Sequence, residues 1–158
     1  MNQRPQASPP PTLGVMRVVW GAFFLAPIIY LVVALLIFGE KEPTWETSSS
    51  YRLFRLILVL LAAMGLVLQQ MFAVILSRKI ERTEAAPERA QLAMGSLVIR
   101  AAFIEAISIY GLVLMILFGR FTDVVYFCAV SLALMPLCFP RRSQLEPAPP
   151  AFPRHDGS

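Results

Sequence analysis

Histidine is almost absent from this chain: the one His, His155, lies in a proline-rich carboxy-terminal stretch. A metal or haem held by imidazoles inside the apolar part of the sequence therefore has no ligands. Cysteine is scarce as well. The two thiols, Cys128 and Cys138, both fall in the last apolar segment, where ten helical residues separate them by about 15 Å of rise. That distance excludes a disulfide between them, and buried packing thiols are the plain reading. CxxC pairs, Cys/His clusters, glycine-rich phosphate loops and a Ser/His/Asp set are all missing, so no cofactor is expected and the chain is not expected to be an enzyme.

Charge is the next shortage. Only 15% of the residues are charged and 57% are hydrophobic, whereas a soluble domain is about 25% charged and about 45–50% apolar. With a mean hydropathy of +0.65, the composition belongs to a membrane protein. The net charge of +4 does not point to nucleic acid, because the basic residues sit beside apolar runs, where they set membrane topology. The expected surroundings are a lipid bilayer, with a second copy of the chain or another membrane subunit as partner.

What is present is four apolar runs. Spans are expected at about 16–38, 53–76, 97–118 and 121–139, each close to the roughly 20 residues that cross a hydrocarbon core. Trp20 suits an interfacial anchor, and Pro27 is expected to kink the first span, as bilayer helices tolerate. The stretch 39–50 is polar. Residues 77–93 hold the densest charge (Arg78, Lys79, Glu81, Arg82, Glu84, Glu88, Arg89) and read as a solvated connection, with room to extend both flanking helices. Gly119-Arg120 leaves so short a turn that spans three and four must form an antiparallel hairpin. The fold expected is all-α: a four-helix transmembrane bundle of two antiparallel hairpins, with disordered Pro-rich tails at 1–15 and 140–158.

Lys and Arg are concentrated on the side of the 78–89 connection, the Arg141-Arg142 pair and the amino-terminal Arg4 and Arg17. The other side has Lys41, Arg52 and Arg120. Both termini are therefore expected in the cytoplasm, the membrane being a bacterial inner (plasma) membrane.

Glu105 stands inside the third span. A charged side chain at that depth costs about 2.5–3.5 kcal/mol on insertion scales and marks a functional or pairing position. Ala101, Ala102 and Ser108 share its helical face and Gly111 lies about two turns on, so another helix can approach closely there. Gln69 and Gln70 sit at a similar distance, about 10 Å, from the same end of span two, and either amide could meet the carboxyl. Tyr110 and Tyr30 read as hydroxyl donors to the site or as interior aromatics. Arg100 is on a different face and is expected to snorkel to the interface. Two readings stay open: an interhelical polar contact, or a proton-binding site.

Spans one and three also align at an offset of eighty residues. Ala22-Phe-Phe-Leu-Ala26 then stands against Ala102-Phe-Ile-Glu-Ala106, and Phe38-Gly39 against Phe118-Gly119. Leu25 takes the place of Glu105. Duplication and chance similarity of two apolar segments account for this equally well.

Ile104-Glu-Ala-Ile-Ser-Ile-Tyr-Gly-Leu-Val113 resembles the carboxylate helix of the rotor-ring c subunit of F-type and V-type ATPases, and the likeness extends over about 53–119. The resemblance implies that Glu105 carries an ion, with Gln69 or Gln70 as amide partner and Tyr110 as hydroxyl partner. Ala106 and Ile107 stand where sodium-binding members have hydroxyl residues, which implies protons. The sequence departs from the family in span two, where Gly65 replaces a run of alternating glycines, and in the order of the helices.

Overall fold

Inside a bilayer an apolar segment must satisfy its own backbone hydrogen bonds, and a helix is how a single segment does so. In the computed structural model, which describes residues 10–38 and 49–141, the four runs form α1 (Leu13–Phe38), α2 (Ser49–Arg82), α3 (Ala86–Phe118) and α4 (Phe121–Leu134). A short 3-10 turn, Met135–Cys138, carries α4 to its end. The expectations for the proline-rich tails and for the polar loop with Trp45 fall mostly on 1–9, 142–158 and 39–48, outside the described residues. All four helices, the last taken together with its 3-10 turn, are long and apolar enough to cross a membrane. Their outward side chains are bare hydrocarbon, as at Leu36, Val18 and Ile116, which in water would be a large uncovered apolar surface. The chain is a small multi-pass integral membrane protein.

Helix ends depart from the apolar runs in an instructive way. The charged connection is mostly helix: α2 continues to Arg82, α3 begins at Ala86, and only 83–85 intervene. Pro87 in the first turn of α3 lacks an N–H where none is needed. Arg89 is buried and folds back on this turn, donating from Nε (3.0 Å) and Nη2 (2.5 Å) to the Thr83 carbonyl. At the other end Gly119 closes α3 with φ 68°, its N–H donating to the Met115 carbonyl at 2.7 Å. That left-handed cap is a glycine conformation, and α4 starts two residues later. α1 runs unbroken through Pro27, whose ring is buried.

The helices are not packed evenly. α3 is the hub: α4 lies along it as the second arm of a tight hairpin, and α1 rests on both α3 and α4. α2 rests on α3, and α1 and α2 do not form a packed pair with each other. α3 and α4 approach closely at Gly111, whose missing side chain admits the α4 backbone at Asp123 and Val124. Ser131 of α4 ties the hairpin further, its Oγ donating to the Ile104 carbonyl at 2.9 Å. One apolar cluster, Met16, Leu97, Ile104, Met135 and Cys138, joins α1 to the hairpin near the chain ends. There Trp20 stacks on Phe24, meets Phe139 edge-on and donates from Nε1 to the Met135 carbonyl at 3.1 Å.

Candidate functional site

Glu105 is half-buried on α3. Its carboxylate accepts a hydrogen bond from the Tyr30 hydroxyl of α1, 2.6 Å from Oε1. The bond crosses between helices and gives the carboxyl the partner that its depth demands. Of the two sequence readings of Tyr30, donor and interior aromatic, the geometry realises the donor. Ser108 also belongs here: it is buried, and its Oγ donates to the Glu105 backbone carbonyl at 2.7 Å. It braces the helix beneath the carboxylate without touching the carboxylate.

The amide partner is a correction. Gln69 is buried, but its Nε2 donates to Cys138 Sγ at 3.8 Å, and Gln70 faces outward. Phe103, two residues before Glu105, lies against α2 beside Gly65 and stacks on Phe72, so the helix levels do coincide. Two residues are about 200° of helical rotation; hence Glu105 points away from α2 and towards α1. Tyr110 is likewise elsewhere, lining a cleft between α2 and α3 with Phe103 and Gly65. Arg100 reaches the 3-10 turn after α4, donating from Nη2 to the Leu137 carbonyl at 3.0 Å.

A second polar centre went unread in the sequence. Asp123, in the first turn of α4, is 2% exposed. It accepts from the Tyr51 hydroxyl of α2 at 2.7 Å and pairs with Arg55 Nε at 3.4 Å. Arg120 covers the Tyr51 ring, 4.6 Å from its centroid. A helix amino terminus favours the carboxylate, and the spacing of Tyr51 and Arg55 puts both on one face of α2. The available signal was an Asp two residues into an apolar span, facing an Arg two residues into another; at span ends such residues pass for interfacial ones.

The two centres share one plan. Each outer helix offers a tyrosine hydroxyl to a carboxylate on the central hairpin: Tyr30 to Glu105, Tyr51 to Asp123. Chemically, each is a carboxyl that accepts from a tyrosine hydroxyl, and Asp123 adds an arginine partner. Among the described residues no three His, Cys, Asp or Glu side chains converge as metal ligands would. No family model matches the chain, and neither a curated protein nor a solved structure is significantly similar to it.

Proposed function

We propose that the protein is a non-enzymatic, partner-docking subunit of a plasma membrane, its termini in the cytoplasm and its Glu105–Tyr30 contact an interhelical fastener. The observation that carries this reading is the 2.6 Å bond itself: Glu105 is satisfied within the bundle, by a group on a neighbouring helix. The orientation rests on the surplus of Lys and Arg around the 78–89 connection and the chain ends. Partner docking is supported by α2, a 34-residue helix that buries only Tyr51 and Gln69 and turns most of its apolar side chains between Leu53 and Ile75 outward.

The alternative is a proton-binding component resembling an ATPase c-subunit hairpin. It is favoured by one observation: Glu105 is not fully enclosed, so a reagent or a proton carrier can approach it. Glu105→Gln separates the two. Gln accepts the Tyr30 hydrogen bond, so a fastener keeps its fold, thermal stability and assembly to within about 1 kcal/mol. A variant that assembles normally yet abolishes proton flux in reconstituted vesicles would refute the fastener. Labelling by dicyclohexylcarbodiimide, mapped by mass spectrometry, reports whether the carboxyl can be reached at all.

A further inference from the structure

α2 stands off α4 along a cleft, and its mouth is charged. Val59, Ala62 and Leu66 of α2 form one wall, Phe127 and Val130 of α4 the other, with Ile107 of α3 as floor and a volume of about 330 Å³. Arg55 closes one end. The cleft follows α2 from Arg55 to Leu66, about 16 Å of helix. The cleft is lined by hydrocarbon except at its Arg55 end and its Tyr126 rim, which suits an acyl chain carrying an anionic head.

The mouth specifies the head of such a chain. Arg55 gives Nε to Asp123 and stays 47% exposed, leaving the outer nitrogens of its guanidinium without a partner among the described residues. Arg52, one turn away on the same face, is exposed and unpaired within the same set. Tyr126, 63% exposed, borders the cleft one turn below Asp123, where an amphipathic ring suits the headgroup boundary. Guanidinium groups bind phosphate oxygens in pairs of parallel hydrogen bonds.

We propose that this cleft is a binding site for an anionic phospholipid, one acyl chain lying between α2 and α4 and the phosphate resting on Arg55 and Arg52. The molecule carries its own control. A second cleft, about 450 Å³, runs along the other side of α2 against α3, walled by Leu61, Leu68, Ile99 and Phe103, with no charged side chain in its lining. It takes acyl chains without regard to the headgroup.

The test uses the full chain in phosphatidylethanolamine bilayers containing phosphatidylglycerol with a photoactivatable diazirine in its acyl chain. Mapped by mass spectrometry, cross-links are expected in 59–66 and 126–130, and unlabelled phosphatidylglycerol should compete there about tenfold better than phosphatidylethanolamine. At the α2–α3 cleft the two lipids should compete equally. Arg52→Gln, which leaves the Arg55–Asp123 pair intact, should lower the preference, and Ala63→Trp or Val130→Trp, both outward-facing, should remove the cross-links. Equal competition at both clefts in the wild type overturns the proposal, whatever the variants do. So does the absence of cross-links at 59–66 and 126–130 in the wild type, which would leave the cleft closed to acyl chains.

Discussion

Gly111→Ala probes the close contact between α3 and α4. A β-carbon at position 111 would stand 2.8 Å from Phe127 Cβ, 3.0 Å from Val124 Cα and 3.2 Å from the Asp123 carbonyl oxygen. None of these atoms can swing aside by a change of rotamer, since two belong to the backbone and the third is attached to it. α4 must move instead, and rigid overpacking of this kind costs about 1–3 kcal/mol. Alanine returns about 1 kcal/mol of helix propensity. At the low end the two effects cancel. The upper end applies here, because a displaced α4 also carries Asp123 away from Tyr51. The expected net loss is about 1–2 kcal/mol. The assay is reversible unfolding of the purified protein in mixed micelles, followed by circular dichroism, with Gly65→Ala measured beside it. A β-carbon at Gly65 meets only Phe103 Cδ1, at an ordinary 3.6 Å, so that variant should be neutral or gain up to about 1 kcal/mol. If Gly111→Ala is as stable as Gly65→Ala, α3 and α4 do not pack as described.

Two further substitutions test the fastenings of the outer helices. Asp123→Ala removes the acceptor of the Tyr51 hydroxyl and the partner of Arg55 Nε, and should destabilise by about 1–3 kcal/mol. Asp123→Asn keeps an acceptor for Tyr51 and loses only a pair whose arginine is half in solvent, so about 1 kcal/mol or less is expected; an Asn variant as damaged as the Ala variant would show that charge dominates. Trp20→Phe deletes the donor to the Met135 carbonyl while preserving a ring beside Phe24 and Phe139, and should cost about 1 kcal/mol, read as a lower unfolding midpoint in the same micelles.

Span positions were legible because length and hydropathy alone determine them, and the α3–α4 hairpin because Gly119-Arg120 leaves no other geometry. Azimuth was not legible. In α1, apolar on every side, no stripe distinguishes the face that meets α3 from the face that meets lipid, so nothing in the run identified Tyr30 as the residue turned towards Glu105. On α3 the level of Glu105 against α2 could be counted in residues, yet its direction depended on which neighbour lay where, and sequence order does not say that α1 and α2 flank the hairpin separately. Asp123 escaped notice for a related reason. Two residues from a turn it passes for solvated, and its partners Tyr51 and Arg55 belong to a helix about seventy residues earlier in the chain. For the charged stretch 77–93 the extension of both helices was readable but its extent was not, because charge density marks solvent while helix propensity is indifferent to it.

The hub arrangement has a consequence for how the protein is made. α1 and α2 are synthesised first, and neither offers the other a packing surface; the surface each needs belongs to α3 and α4, still to come from the ribosome. The first half of the molecule therefore waits in the membrane, with Tyr30 and Tyr51 short of their carboxylate acceptors, until the Gly119 hairpin inserts and collects both helices. Assembly is a late, concerted step dictated by chain order. Co-expressed fragments split between α1 and α2 should complete it as well as the intact chain does.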